Sequence, residues 1–140
     1  MTTQNISRPQ TSKALHITLW VLQILLAAMF VMTGLMKLAM PVSQLAGQLP
    51  WVTSVPEFLV RFIGLAELAG GLGLILPAAS RIQPRLTGFA ALGLVLVMVL
   101  ASGFHLTRGE GMMVPMNLII AAIAAVIAWG RLVKAPIQAR

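Results

Sequence analysis

Glu67 is the residue of this chain best placed to do chemistry. It is the sole acid in a run from Arg61 to Pro77 that is otherwise almost entirely glycine, alanine, leucine and isoleucine. Counted from Glu57 at helical rise, it lies roughly 15 Å along its helix, close to the middle of a bilayer's hydrocarbon layer. An ionisable group there faces a bundle interior or a polar cavity and marks a candidate functional site. Two groups elsewhere in the chain can meet it, Lys37 and His105. Helical side chains lean towards their own N-terminus. If the segments carrying Lys37 and His105 run outward and that of Glu67 runs inward, all three converge below the outer surface. The expectation is a polar pocket of Glu67, Lys37 and His105, with Thr33, Ser102 and Asn117 as hydrogen-bonding neighbours. It would bind a ligand or handle a proton, or it would simply tie helices together; the sequence leaves these roles open and assigns no catalytic residue. Arg61, about 120° around its helix from Glu67, leans outward to headgroups, Glu57 or Glu110. With Arg108 and Glu110 it forms an outer-surface polar set.

The elements that must position these groups are apolar. The chain has 140 residues, 59% hydrophobic and 9% charged, with a mean hydropathy of +0.93. Four apolar segments, at about 15–39, 57–76, 84–105 and 115–133, each approach the ~20 residues that a spanning helix needs. The reading is an all-α bundle of four transmembrane helices within residues 14–134, between a polar tail at 1–13 and a short tail at 135–140. Pro41, Pro56, Pro77, Pro84 and Pro115 punctuate the segments, at ends where a missing N–H costs little. In particular, Pro77 should close the second helix. The first apolar run is too long for a cleaved signal peptide.

Helical periodicity assigns the inward faces. They are Gln23, Ala27, Phe30, Gly34 and Lys37 on the first segment, and Val60, Gly64, Glu67, Gly71 and Leu74 on the second, with Gly70 close by. The third supplies Thr87, Ala91, Leu94, Met98, Ala101 and His105, and the fourth Asn117, Ala121, Ala124 and Ala128. The small residues of the second and fourth segments form grooves suited to close helix packing. Residues 41–56, with Trp51, should lie against the membrane surface, and Trp20 and Trp129 should anchor the inner ends. Gly109 between Arg108 and Glu110 reads as a polar turn.

Lys and Arg counts set the orientation. Arg8, Lys13, Arg81, Arg85, Arg131, Lys134 and Arg140 fall on one side, and Lys37, Arg61 and Arg108 on the other with the acids. The bias predicts both termini in the cytoplasm, in a cytoplasmic membrane if the source is bacterial. The net charge of +7 is spread between apolar runs rather than gathered on a face, so nucleic acid is not an expected partner. Absence of cysteine removes disulfide and thiolate chemistry from the chain itself. His16 and His105 stand at opposite ends of the membrane, so no shared haem or metal is expected. There is no nucleophile elbow, phosphate loop or acid pair.

Several stretches resemble the DoxX-like family of small four-helix membrane proteins. They are Gly34-Leu35-Met36-Lys37, the run from Gly64 to Pro77, His105-Leu106-Thr107-Arg108-Gly109-Glu110 with Asn117-Leu118, and Trp129-Gly130-Arg131. The family takes its name from a membrane subunit associated with thiosulfate:quinone oxidoreductase and quinol oxidase. Related members are linked to oxidative stress, and a eukaryotic branch serves as an assembly chaperone. The resemblance implies a membrane subunit of a quinone-linked or oxidative-stress system, acting with a redox partner rather than as a complete enzyme. A quinone or lipid would sit in the buried pocket, with no covalent cofactor. The alternatives are an assembly factor or chaperone for a client membrane protein and, further off, a minimal transporter that would need to form a homo-oligomer.

Overall fold

The computed structural model describes residues 12–140, which are mostly helical and contain no strand. The expectations for the tail fall mostly on residues 1–11, outside the described residues. Ser12 caps the first helix, its hydroxyl accepting from the Leu15 amide. That helix, α1, spans Lys13–Ala39. A single turn, α2 (Val42–Leu45), and a 3-10 turn (Pro50–Ser54) lead into α3 (Glu57–Ser80). Then come α4 (Arg85–Thr107), a 3-10 turn (Gly111–Met113), α5 (Val114–Trp129) and a π-helical turn (Gly130–Lys134). Four helices are long and apolar enough to cross a membrane, and an even number of crossings puts both termini at one end of the bundle. The protein is an integral membrane protein.

The inward stripes pack as the periodicity predicts. Gln23, Ala27, Phe30, Gly34 and Lys37 are buried on α1; Val60, Gly64, Glu67, Gly71 and Leu74 on α3. The main core joins Phe30, Leu74, Leu94, Ile127 and their neighbours from all four helices. Glycine sets the closest crossings. A Cβ on Gly34 would lie 2.7 Å from the Gly64 carbonyl oxygen, and one on Gly71 3.0 Å from the Val31 amide, so α1 and α3 touch backbone to backbone. Further along, Gly70 faces Leu94, and Gly73 faces Ala90, drawing α4 against α3 in the half nearer the termini.

Two expectations about the elements change. Pro77 does not close α3, which continues through it to Ser80. A proline removes one N–H and strains one turn, a loss that a helix tolerates near its end inside a bundle; beside it, the Gln23 amide donates to the Leu74 carbonyl at 2.7 Å. Residues 41–56 turn part of their apolar side to the bundle. Leu45 and Val52 fold inward onto Val60 in a second small core, because the apolar side of this loop has the bundle itself to cover. The last expected helical turn widens into the π turn, closed by the Ala135 amide on the Gly130 carbonyl.

Candidate functional site

Helix α1 brings Lys37 to α3 at the end of the bundle away from the termini. Gly64 lets it cross: a Cβ there would stand 2.7 Å from the Lys37 Cβ. The lysine therefore passes over α3 and reaches Glu67 three residues on, Nζ to Oε2 at 2.7 Å, with each side chain 7% exposed. Arg61 fixes the same helix end. Its Nη1 donates to the carbonyls of Lys37 and Met40, at 2.6 and 2.7 Å, while Nε and Nη2 hold Glu57 Oε1. Of the outer partners expected for Arg61, Glu57 is found and Glu110 is not; the capping of α1 was not foreseen. Glu57 and Arg61 are four apart, a readable spacing, whereas an arginine reaching another helix's carbonyls leaves no sequence pattern.

His105 stands at the C-terminal end of α4 and turns to its own loop rather than to the Lys37–Glu67 pair. Gly109, at φ +73°, makes the tight left-handed turn that L side chains resist. The chain then folds back so that Glu110 Oε2 meets His105 Nδ1 at 2.6 Å. The other carboxylate oxygen takes Arg108 Nε at 3.0 Å and Nη2 at 2.9 Å, and Arg108 Nη1 also donates to the Ser54 hydroxyl. Arg108 first, and His105 after it, hold the Glu110 carboxyl below its ordinary range. The outer polar set thus splits in two, Glu57–Arg61 and His105–Glu110–Arg108.

A cavity of about 420 Å³ lies between these clusters, where α3 and α4 diverge beyond their glycine contacts, and Lys37, Glu67, His105 and Asn117 are all in its wall. Its body is apolar, with Phe62, Ile63 and Ala66 from α3 and Met98, Ala101 and Phe104 from α4. Trp51 covers it from the loop, packed edge-on against Phe104 with ring centroids 6.0 Å apart, so it is part of the wall rather than only an interfacial anchor. Phe62 and Leu100, both 64% exposed, belong to the same lining, so the cavity opens sideways between α3 and α4 onto the lipid-facing surface. Two expected neighbours are not in it. Thr33 donates to the Phe30 carbonyl and Ser102 to that of Met98, the back-bonding available to any hydroxyl on a helix.

The polar end offers mostly donors. The ammonium has three N–H groups and spends one on Glu67. Asn117 Nδ2 is buried and unpartnered, a rare condition that calls for a reason. His105, bonded through Nδ1 to Glu110, is a further polar group in the wall. Such a set suits a ligand with carbonyl or hydroxyl oxygens on an apolar body. Among the described residues no cluster of His, Asp and Glu could hold a metal ion.

A further polar cluster, at the end carrying the termini, went unread in the sequence. Arg131, counted there as a surface charge, is 2% exposed and bonded to Gln23 and His16. Trp20 stacks near its guanidinium instead of serving only as an anchor, while Trp129 is exposed as expected. The inward stripe holding Gln23 was the one hint of it.

Comparison with known proteins bears on the whole helical region. The model of the DoxX-like family matches residues 21–127, a span that includes α3 and α4 whole, most of α1 and α5, and every residue named in the cavity wall. Neither a curated protein nor a solved structure matches the chain.

Proposed function

The chain belongs to the DoxX-like family, and from that premise we propose that it is a membrane subunit or accessory protein of a quinone-linked or oxidative-stress redox system. Its cavity binds a quinone-like or lipid-like molecule entering from the bilayer. The observation that carries this reading is the lateral cavity with Lys37, Glu67, His105 and Asn117 at one end and apolar side chains elsewhere. Its volume falls in the range of small-molecule sites, which are mostly apolar with a few convergent polar groups. In this reading Lys37 Nζ and Asn117 Nδ2 donate to a quinone oxygen, and His105 with Glu110 offers a path for a proton to the loop surface. Electrons are exchanged with a partner redox protein, so the chain is not a complete enzyme on its own. Among the described residues, five exposed cations at the terminal end, Lys13, Arg81, Arg85, Lys134 and Arg140, set against Arg61 and Arg108 at the other, favour cytoplasmic termini.

The assembly-factor reading has less to rest on. The small residues of α3 are filled by the chain's own α1 and α4, and Ala121, Ala124 and Ala128 of α5 are buried within the bundle. These surfaces are not open to a client helix.

The test is titration of a short-chain quinone into the nanodisc-embedded protein, compared with Ala101→Phe, which fills the cavity, and with Asn117→Leu. Saturable binding above lipid partitioning, lost in Ala101→Phe and weakened about tenfold in Asn117→Leu, is the expected result. Partitioning that is the same for all three proteins would remove the reading.

A further inference from the structure

The chain has three acidic side chains, Glu57, Glu67 and Glu110, and each is paired at the loop end of the bundle, with Arg61, Lys37 and Arg108 respectively. The opposite end has no side-chain carboxylate at all, yet it contains the buried guanidinium of Arg131. Its Nε donates to Gln23 Oε1 at 2.6 Å and its Nη1 to the Ala135 carbonyl at 3.2 Å; Nη1 also lies 3.0 Å from His16 Nδ1, and Nη2 is buried without a partner. Every partner is neutral. They satisfy hydrogen bonds and leave the charge uncompensated, a costly state for a buried ion.

The backbone is shaped to hold this arrangement. Gly130 fits under Leu19, where a Cβ would stand 2.5 Å from a methyl carbon, and the π turn that follows carries Arg131 into the bundle. Such turns recur at functional sites. Arg81 ends α3 at φ +59°, a conformation in which glycine is far easier. There its Nε donates to the Gln138 carbonyl at 2.8 Å, so the strained position holds a guanidinium.

A guanidinium only donates. Nη1 therefore donates to His16 Nδ1, which puts the imidazole proton on Nε2 and makes Nε2–H a donor. His16 and Trp20, which embrace Arg131, also line a second cavity of about 390 Å³, together with Arg81, Pro136 and Gln138. An N–H donor backed by a permanent cation and a second guanidinium thus line one pocket at the end of the bundle, a donor set suited to an anion. We propose that this cavity binds a phosphate group, held by His16 and Arg81 and neutralising Arg131 behind them. The group would belong to an anionic lipid headgroup or to a soluble phosphate.

The test uses the full chain in dodecyl maltoside, a detergent without phosphate, with Trp51→Phe and Trp129→Phe leaving Trp20 as the sole tryptophan. Sodium phosphate, phosphatidylglycerol and sodium chloride at matched ionic strength are titrated while Trp20 emission and thermal midpoint are followed. A saturable response to phosphatidylglycerol alone identifies a headgroup site, one to phosphate alone a soluble-anion site, and one to both a site that reads the phosphate group itself. In each case His16→Ala and Arg81→Gln weaken it about tenfold or more, and Arg131→Met abolishes the anion-dependent rise in midpoint. Should Arg131→Met not fold, the two cavity-wall variants decide. Responses no different from chloride, or undiminished in both wall variants, overturn the proposal.

Discussion

Removing one member of the Lys37–Glu67 pair should harm the fold more than removing both. The two charges sit 2.7 Å apart with 7% of each side chain exposed, so water offers almost no compensation to a survivor. Stranding one ion of a buried pair costs about 3–5 kcal/mol. The ceiling is the cost of neutralising the survivor: at pH 7, protonating an ordinary glutamate costs about 3.7 kcal/mol and deprotonating an ordinary lysine about 4.6 kcal/mol. Lys37→Met and Glu67→Met should each lose stability on that scale. Replacing both residues by methionine removes the attraction and both desolvation costs together, so the doubly substituted protein should return to within about 1–2 kcal/mol of the wild type. Unfolding in mixed micelles, followed by circular dichroism against the mole fraction of a denaturing detergent, measures all four proteins and gives the coupling by a double-mutant cycle. Quinone titration of the doubly substituted protein then separates the two roles: a stable bundle that no longer binds assigns the pair to the ligand. Single variants within about 1 kcal/mol of the wild type would refute the reasoning, because they would mean that water or lipid headgroups reach the pair.

Other perturbations follow from particular contacts. Gly34→Ala drives a methyl into the Gly64 carbonyl and the Leu68 backbone and should cost about 1–3 kcal/mol. Gly103→Ala meets nothing within 4 Å and should be neutral or gain about 0.5–1 kcal/mol; detergent unfolding of the two side by side checks this. Arg61→Gln strands the carbonyls of Lys37 and Met40, costing about 1–3 kcal/mol, with faster amide exchange from Met40 to Leu45. The Glu110 carboxyl is held below its ordinary range by Arg108 and then His105. Its contribution is therefore complete above the unfolded value and is lost as pH falls through the lower folded one. Amide protection over residues 108–113, measured against the intrinsic exchange rate at each pH, should fall on acidification below about pH 4, and Arg108→Gln should move that onset to higher pH.

Much of the candidate site could be read from residue types alone, because hydrocarbon makes so few arrangements tolerable. A lone acid in an apolar run must face inward and find a cation, and helical lean left Lys37 as a partner that could reach it; the ion pair is there. His105 had the right lean and the wrong partner. Its nearest acid comes from a turn made by Gly109, and lean along a helix carries no information about how the following loop folds back. Thr33 and Ser102 bond to their own helices, as hydroxyls can wherever they sit. The burial of Arg131 was not legible, because counting cations by segment assigns a charge to one end of the bundle and says nothing of whether it turns inward. The π turn and the glycine before it carry that residue inward.

The sequence by itself determined four membrane-spanning helices, their inward stripes and the burial of the acid. Each follows from one-dimensional quantities: apolar length against bilayer thickness, a repeat of 3.6 residues, and the cost of an unpaired ion in lipid. The tertiary structure alone decided which helices touch and where they part. Backbone contact at Gly34 and Gly64 lets Lys37 cross α3, while Gly70 and Gly73 draw α4 in along one half and leave the other half open as a cavity. Small residues mark where helices can approach, but which approaches are made is settled only when four helices compete for the same few surfaces.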